Sequence, residues 1–338
     1  MTKSGPELTE PAPIDIAVVC YPGSQATCIH GVTDLFTYAE HFAREQAAAS
    51  RTFVRITHWR PSADGRLECS FDSRPGPIGQ PTVVVVPASQ LAPIARGHSP
   101  ESAAWLASRH GEGAIVAAVC GGVFVLADSG LLAGRRATTH WMFADELQRR
   151  HPELTVEADR LVIDDGDIVT AGGVLAWADM GLSLVERLLG TAVMRATARF
   201  MLIDPPGREQ RYYSHFTPHL RHGDKAILVA QHWLQAHAPA PFSIAALAGR
   251  AGLGTRTFLR RFVKATGLTP SEYHQQLRIA RGRELLERTQ DPVDRVAAAA
   301  GYEDSGGFRR SFKRLVGLSP GEYRRRFQGT PRPHSPAD

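Results

Sequence analysis

The sequence predicts a doubly wound α/β domain in its first two thirds and an all-α domain with two helix-turn-helix motifs in its last third. The chain has 338 residues, which exceeds the usual size of a single domain. From Ile14 to about residue 200, short β-branched strands alternate with amphipathic helices, the order typical of a parallel sheet covered by helices. Farther along, residues 256–278 align without gaps on residues 306–328, which indicates a duplicated helical unit.

Short apolar runs define the strands of the first domain. IDIAVVCYP and TVVVVPA are rich in β-branched residues, as buried parallel strands are. VTDLFTYAEHFAREQ predicts an amphipathic helix, RTFVRITHW a further strand, and SPESAAWLASRHGEG a helix that leads into the strand GAIVAAVC. Because ligands bind at the carboxyl ends of strands in such sheets, we expect functional residues in the segments that follow the strands.

One of these segments begins with a cysteine. The stretch AIVAAVCGGVFVLADSGLL, residues 114–132, predicts a strand that ends on Cys120, a tight turn through two glycines and a helix. Hydrolases present their nucleophile on a similar elbow. The N-terminus of the helix predicts a lowered pKa for the thiol, and His140 is a candidate partner for its activation. These residues alone leave open whether Cys120 is catalytic.

Each unit of the duplicated region contains a short helix, a glycine turn and a second helix with arginines, which is the order of a helix-turn-helix. The short helices are SIAALAGRAG (243–252) and PVDRVAAAAG (292–301). We expect Thr255 to cap the second helix of the first unit and Gly267 to end it. A helix over about 272–288 is predicted to join the units. Four phenylalanines at i, i+4 spacing are predicted to face inward: Phe258, Phe262, Phe308 and Phe312.

Charge is divided unevenly along the chain. Residues 1–219 contain 19 Lys and Arg against 24 Asp and Glu, a net charge of −5, whereas residues 220–330 contain 19 against 9, a net charge of +10. This asymmetry predicts that only the C-terminal part binds a polyanion, and the helix-turn-helix order indicates that the polyanion is duplex DNA; the alternative is a helical bundle whose arginines are merely solvated. The residues expected to face DNA are Thr255, Arg256, Arg260, Arg261, Lys264, Ser305, Gly306, Arg309, Arg310, Lys313 and Arg314.

The C-terminal segment, residues 223–328, resembles the DNA-binding domain of the AraC/XylS family of transcription regulators. The motifs that carry the resemblance are GLTPSEY, GLSPGEY and AAGYEDSGGFRRSFKR. The family correspondence implies base contacts from Arg256 and Arg260 in the first unit and from Gly306 and Arg310 in the second. Because glycine offers no side chain, we expect the first helix to read most bases and the second mainly to hold phosphates.

The segment from residue 14 to 200 resembles the DJ-1/PfpI branch of the class I glutamine amidotransferase-like superfamily, in the form fused to AraC-type domains. VCGGVFVLADSGLLAGRRATTHW and DDGDIVTAGGVLAWADMGLSLVERLLG carry this resemblance, which implies a flavodoxin-like fold. Two departures from the enzymes stand out. Gly121 follows the cysteine where peptidase-like relatives have histidine, and Cys28 occupies the position of an acid. We therefore expect no catalytic residues, only a degenerate site at Cys120 and His140, and no enzyme activity.

A ligand pocket is expected where the predicted strands end. The amides of Gly121 and Gly122 are candidates to bind a carboxylate, and Trp141 could contact a cationic or apolar group or simply pack in the core. The resemblance implies an effector such as an amino acid or another nitrogenous metabolite. The candidate residues are Gly23, Ser24, Gln25, Pro87, Ala88, Ser89, Cys120, Gly121, Gly122, His140 and Trp141.

The expected organisation is a disordered lead-in at 1–13, a sensing and dimerisation domain at 14–200, a linker at 201–222, the DNA-binding domain at 223–328 and a disordered tail at 329–338. The four cysteines form no CxxC pair, and Pro218 interrupts a histidine cluster, so we expect neither a metal nor another cofactor. The cluster comprises His215, His219 and His222.

The resulting hypothesis is a bacterial, cytoplasmic, nucleoid-associated transcription regulator that forms a homodimer. We expect neither a signal peptide nor a membrane span, because the N-terminal residues are polar and no apolar run is long enough. The resemblance implies activation through contact with RNA polymerase, although repression stays open. The alternatives are a thiol-dependent hydrolase or amidotransferase-like enzyme, or a redox sensor based on Cys120, fused to a DNA-binding module.

Overall fold

The computed structural model describes residues 13–46, 53–90 and 95–328. The chain divides into two compact units, Met1–Gln210 and Arg211–Asp338. Except for Pro13, the predicted lead-in and tail lie outside the described residues. The first unit extends past residue 200, because part of the predicted linker packs on it, and the division between the units falls inside that linker.

The first unit is built on a seven-stranded sheet with the strand order β3-β2-β1-β4-β5-β9-β8. Strands β2, β1, β4, β5 and β9 run parallel, while β3 and β8 pair antiparallel at the two edges. A separate two-stranded parallel pair is formed by β6 and β7. The strands are β1 (Ile14–Val19), β2 (Val54–Pro61), β3 (Leu67–Asp72), β4 (Val83–Val86), β5 (Ile115–Val119), β6 (Arg136–Ala137), β7 (Thr155–Val156), β8 (Val162–Asp164) and β9 (Ile168–Ala171).

Helices cover both faces of this sheet, which confirms the predicted doubly wound α/β fold. Successive residues of β1 alternate between two cores: Ile16 contributes to one and Ala17 to the other. The central strands β4 and β5 are therefore continuously apolar, because neither of their faces meets water. The helices of this unit are α1 (Ala26–Gln46), α2 (Pro100–Gly111), α3 (Gly122–Asp128), α4 (Ala144–Arg150), α5 (Trp177–Leu189) and α6 (Thr191–Phe200), with a 3₁₀ turn at Trp141–Phe143.

The second unit is helical in its described part and contains the expected duplication. In each half a short helix precedes a longer arginine-bearing helix, α8 before α9 and α11 before α12, and α10 joins the halves. The joining helix covers Pro270–Arg288, close to the predicted 272–288. The helices are α7 (Lys225–Ala236), α8 (Ile244–Arg250), α9 (Thr255–Thr266), α10, α11 (Val293–Ala299), α12 (Ser305–Val316) and α13 (Pro320–Phe327).

The repeated GLTPSEY and GLSPGEY motifs begin a helix in both halves. Thr269 accepts a hydrogen bond from the backbone of Glu272, whose carboxylate accepts one from the backbone of Thr269. Ser319 and Glu322 form the same reciprocal cap. The motif is thus a capping box that fixes the start of α10 and α13.

Aromatic side chains form the core of each half. Phe258 and Phe262 pack with Tyr273 in the first. The second repeats the arrangement with Phe308, Phe312 and Tyr323, and all six side chains are at most 1% exposed. The inward orientation of the phenylalanines is therefore confirmed. Within the described residues, no helix is both long and apolar enough to cross a bilayer.

One predicted cap is wrong. Thr255 is the first helical residue of α9, and the capping position is occupied by Gly254, which makes no side-chain hydrogen bond. The end of the helix is as expected, because Gly267 adopts the left-handed conformation there with φ of 74°.

Candidate nucleic-acid interface and candidate ligand site

Helix α9 presents a basic stripe to solvent. Arg256, Arg260 and Lys264 recur every four residues and are all exposed, on the side opposite the buried Phe258 and Phe262. Neither Arg256 nor Arg260 has an ion-pair partner among the described residues. Both guanidinium groups are thus available to an external acceptor, and the exposed Thr255 precedes them at the start of the helix.

Arg261 differs from Arg256 and Arg260 in having an ion-pair partner, and its predicted contact with DNA stays a prediction. Its guanidinium donates to both carboxylate oxygens of Asp224 at 2.8 and 2.6 Å. Asp224 also accepts from the backbone of Ile227 and so caps α7. Hydrogen bonding to Arg261 holds the pKa of Asp224 below its usual value. This pair, which no local sequence pattern indicates, links α9 to the start of α7.

Helix α12 differs from α9 at its N-terminus. The carboxylate of Asp304 accepts from the backbone amides of Gly306 and Gly307 at 2.7 and 2.8 Å, so this cap supports two residues of low helix propensity. Ser305 and Gly306 are half-buried at the start of the helix.

More of the basic side chains on α12 than on α9 have ion-pair or hydrogen-bond partners among the described residues. Arg309 pairs with Asp294 at 3.2 Å, and Arg314 donates to Gln275 at 2.6 Å. Arg310 lies 3.9 Å from Asp304, while Lys313 is exposed. The interpretation that α9 reads most bases and α12 mainly holds phosphates is compatible with these pairs and stays a prediction.

Cys120 stands directly after β5, as predicted, in a strand–turn–helix elbow. It is 1% exposed and adopts a left-handed backbone conformation with φ of 53°, which costs a non-glycine residue about 1–2 kcal/mol. Its amide donates to Ala171 at 2.6 Å and its carbonyl accepts from the hydroxyl of Thr139 at 2.7 Å. These bonds hold the elbow in its strained conformation.

The two glycines serve a different purpose from the one expected. The tight turn is made by Cys120 itself, because Gly121 has φ of −65°. A Cβ on Gly121 would lie 1.9 Å from Oγ of Ser89, and one on Gly122 would lie 2.2 Å from the carbonyl oxygen of Pro87. The absence of side chains therefore lets the elbow approach the end of β4.

The thiol of Cys120 is protonated at neutral pH, so the predicted lowering of its pKa is wrong. Burial raises the pKa to about 11, against the opposing effect of the backbone amides of Gly121 and His140 near the sulfur. Cys28 is fully buried, and burial raises its pKa to about 12, with a smaller contribution from Cys120. A short helix cannot offset this loss of hydration, and the partner at the acid position is a second neutral thiol.

His140 does not form the expected pair with Cys120. Its Nδ1 accepts from the backbone of Met142 at 3.2 Å, and its ring lies against Trp141 and Phe143. Only its backbone amide approaches the sulfur. Burial lowers the pKa of the His140 imidazole, which favours its neutral form. Among the residues that the structure describes, the groups needed for thiol activation are therefore not assembled around Cys120.

The predicted strand-end residues do come together. The amide of Gln25 donates to the carbonyl of Ala88 at 2.8 Å, and Ser24 pairs with Ser89 in a β-bridge. Ser89 in turn borders Gly121. Within the described residues, Oε1 of Gln25 is buried without a hydrogen-bond partner. The loops after β1 and β4 thus lie next to the elbow, and the loop after β1 contributes one acceptor without a partner among the described residues, Oε1 of Gln25.

Two cavities of about 500 and 480 Å³ lie elsewhere in this unit. The first is lined by β8, α5 and residues 206–209, and the second by α2 and the end of α3. The candidate ligand site at Cys120 is identified by its polar groups.

In the histidine cluster, His219 and His222 form hydrogen bonds with neighbouring protein groups. His222 hydrogen-bonds Gln231 through Nε2 at 2.7 Å and accepts from the amide of Asp224 through Nδ1. His219 contacts the carbonyl of Ala265. Across the described part of the chain, no group of three His, Cys, Asp or Glu side chains is placed to hold a metal ion.

Sequence reasoning missed one residue near the elbow. Gln210 is 2% exposed, and its side chain hydrogen-bonds the backbone of Thr139 and Trp141. It lies 69 positions from Trp141, in a segment whose prolines and glycine indicate a linker. No local signal in the sequence could have identified it.

The alkylation of Cys120 is expected to be slow at neutral pH. Because the thiolate is the nucleophile, its rate should rise about tenfold per pH unit and level off only near the pKa of about 11. Initial rates of iodoacetamide labelling at several pH values, read by peptide mass spectrometry, measure this profile. Cys69, which is only partly buried, is the internal control. A midpoint below about pH 8 would instead indicate an activated nucleophile.

Comparison with known proteins identifies both units. The helix-turn-helix domain profile matches residues 247–326, and the DJ-1/PfpI family profile matches residues 78–187. The chain is 29% identical over 230 residues to the HTH-type transcriptional regulator CdhR of Pseudomonas aeruginosa, and the match covers 68% of each chain. It is 30% identical over 214 residues to the HTH-type transcriptional regulator GlxA of Rhizobium meliloti, covering 62% of this chain and 65% of that one.

A solved structure of an AraC family transcriptional regulator from Pseudomonas putida is 16% identical, with a TM-score of 0.43, and covers 56% of this chain and 100% of that chain. The matches to CdhR and GlxA span about two thirds of those regulators. The two domains expected from the sequence are confirmed by the two profiles, each in its own unit. The chain therefore carries a DJ-1/PfpI domain and, C-terminal to it, a helix-turn-helix domain, and it is similar to HTH-type transcriptional regulators over about two thirds of its length.

Proposed function

We propose that this protein regulates transcription by binding a specific DNA site through α9 and α12. The observation that carries the proposal is the exposed stripe of Arg256, Arg260 and Lys264 on α9. A guanidinium group matches the paired acceptors O6 and N7 of guanine, and a helix fits the major groove. Helix α12 repeats the motif after the rigid spacer α10, so two helices can enter successive grooves of one duplex.

The N-terminal domain is proposed to sense a small metabolite at the elbow. The unpaired Oε1 of Gln25 offers an acceptor for an N–H group. The amides of Gly121 and His140 offer donors for a carboxylate, and Trp141 offers an aromatic surface next to them. This combination favours an amino acid or a related nitrogenous compound. Native mass spectrometry of the purified protein tests this part, and a bound species that survives substitution of Trp141 and Gln25 together would contradict it.

Sensing is favoured over catalysis because Cys120 and Cys28 are neutral thiols and the His140 ring is turned to its own backbone. In this proposal, the metabolite binds one arrangement of a homodimer more tightly and shifts the population toward it. The resulting change in the DNA-binding domains would alter contacts with RNA polymerase at a promoter, as an activator does. The protein would act in the bacterial cytoplasm, at the nucleoid.

The DNA-binding part is tested by replacing Arg260 with alanine. A duplex selected by the full-length protein from a random pool serves as the cognate site, and a scrambled duplex serves as the reference. We expect the variant to lose about 1–3 kcal/mol, or roughly 5- to 150-fold, on the selected duplex and little on the scrambled one. Fluorescence anisotropy at fixed salt measures both affinities, because phosphate contacts make binding salt-dependent.

Arg149→Ala is the matched control, since Arg149 is an exposed arginine of α4 that pairs with Glu146. It should leave both affinities unchanged. Equal losses on the two duplexes for the Arg260 variant would show that Arg260 contacts phosphates and reads no base.

A further inference from the structure

Gln210 is held inside the N-terminal unit by its side-chain amide. Its Oε1 accepts from the backbone of Trp141 at 2.8 Å, and its Nε2 donates to the carbonyls of Thr139 and Ala158, both at 2.9 Å. The backbone of Gln210 also donates to Asp159 at 2.9 Å. A Cβ on Gly172 would lie 2.2 Å from Nε2, so the residue after β9 must be small for Gln210 to enter.

The backbone that Gln210 holds is also a wall of the candidate ligand site. Thr139 donates through its hydroxyl to the carbonyl of Cys120 at 2.7 Å. The amide of His140 approaches the sulfur of Cys120, and the His140 ring lies against Trp141. A ligand that contacts His140 or Trp141 therefore contacts the three-residue segment whose two ends are bonded to Gln210, and Cys120 is hydrogen-bonded to the first residue of that segment.

The next residue in the chain, Arg211, belongs to the C-terminal unit. Its carbonyl accepts from Arg283 at 3.0 Å, and Arg283 also donates to the carbonyl of Ser214. Arg283 is 5% exposed and projects from α10, the helix that joins the two helix-turn-helix motifs. The first residues after Gln210 are thus held by the central helix of the DNA-binding domain.

Arg211 and the following Tyr212 also contact the end of α12. Gly317 ends α12 in the left-handed conformation with φ of 85°. A Cβ at this position would lie 2.6 Å both from Nε of Arg211 and from the Tyr212 ring. Gly317 is therefore required here for close approach as well as for its φ, and Arg211 and Tyr212 pack directly on the C-terminus of α12.

We infer that Gln210 transmits ligand occupancy at the elbow to the DNA-binding domain. Its side-chain amide is hydrogen-bonded to Thr139 and Trp141, so the two move together. A single peptide bond connects Gln210 to Arg211, which contacts α10 and α12. No further residue separates the two sets of contacts, so a shift of the segment Thr139–Trp141 reaches α12 through the covalent chain. This inference rests on the proposed sensing site, and it names the residue through which that site is read.

Because coupling between two sites is reciprocal, DNA binding must affect the elbow if the elbow affects DNA binding. The test therefore uses the full-length protein and the selected duplex as the probe, with no metabolite. Hydrogen exchange of the amides at 138–142 is measured with and without the duplex. We expect the duplex to change their exchange rate by about fivefold or more in the wild type, the lower end of usual allosteric couplings.

Two variants remove the link in different ways. Gln210→Ala deletes the amide, while a six-residue Gly–Ser insertion after Gln210 keeps both sets of contacts and adds roughly 13 Å of flexible chain between them. In both, the DNA-dependent change at 138–142 should disappear while the duplex still binds. The matched control is Gln148→Ala, because Gln148 also bridges backbone groups within this domain, at Leu154 and Val156, and lies far from the junction in sequence.

The readout is the DNA-dependent difference in exchange, which a purely structural Gln210 would not alter in the insertion variant. A difference that persists in the insertion variant, or is absent from the wild type while DNA is bound, overturns the inference and leaves the proposed function standing. A protein that selects no duplex at all would instead overturn the proposed function, and the inference with it.

Discussion

Replacing Phe308 by alanine is expected to lower the free energy of unfolding of the C-terminal unit by about 3–5 kcal/mol. Phe308 is fully buried and packs on Tyr302 and Phe312, with ring centroids 5.4 Å apart in both pairs. It also lies over Gly282 of α10, so closely that a Cβ there would be 2.8 Å from its ring. Removing the ring leaves a cavity between α12 and α10, which the rigid helices cannot close.

This loss would remove most of the stability of a domain at the lower end of the usual range, which is about 5–15 kcal/mol. We therefore expect the variant to lose DNA binding at physiological temperature, although no DNA-facing residue has changed. Urea unfolding of the full chain, resolved into its two transitions, measures the stability, and anisotropy with the selected duplex measures the binding.

Val229→Ala is the control, because Val229 lies in the same unit on α7 and is 51% exposed. Its substitution should change the stability by less than about 0.5 kcal/mol. A loss below about 1 kcal/mol for Phe308→Ala would mean that the second helix-turn-helix is not packed as the structure shows.

The fold of both units could be predicted because its signals are local or repeated. The apolar run TVVVVPA contains β4, and the same capping box opens α10 and α13. The edge strand β3 was not predicted, because LECSFD alternates only weakly between apolar and polar residues and is only partly buried. Its antiparallel pairing with β2 depends on tertiary contacts, which strand propensity does not determine.

The candidate sites were predicted in position but not in chemistry. The elbow at Cys120 and the basic stripe on α9 follow from spacing along the chain. The ionisation state of Cys120 depends on what covers it, namely the end of β4 and the buried Cys28, and this covering has no local signature. For the same reason the pair between Arg261 and Asp224, 37 positions apart, was missed.

Gln210 is the strongest example of this limit. Polar and proline-rich surroundings predict an exposed linker, yet the glutamine is fully hydrogen-bonded in a buried position. Gly172, which directly follows β9, makes this position possible, because a Cβ there would collide with the Gln210 side chain. A complementary pair of this kind is visible only after the sheet brings the end of β9 to the junction.

The second large effect is expected for Gly122→Ala, because backbone atoms at the end of β4 lie very close to this glycine. The new Cβ would lie 2.2 Å from the carbonyl oxygen of Pro87 and 2.8 Å from that of Val86. Both atoms belong to the backbone at the end of β4, whose Val86 pairs with Ala118 of β5. Since backbone cannot rotate away as a side chain can, we expect the N-terminal unit to lose about 3 kcal/mol of stability.

Gly111→Ala provides a matched control, because Gly111 ends α2 in open space and a Cβ there meets nothing within 4 Å. That change should be neutral or stabilise the unit by up to about 1 kcal/mol. Gly121→Ala should fall between the two, since the atom it meets first is the movable hydroxyl of Ser89. Thermal unfolding of the three variants gives this order if backbone contact sets the cost, and equal losses for Gly122→Ala and Gly111→Ala would mean that the elbow does not pack against β4.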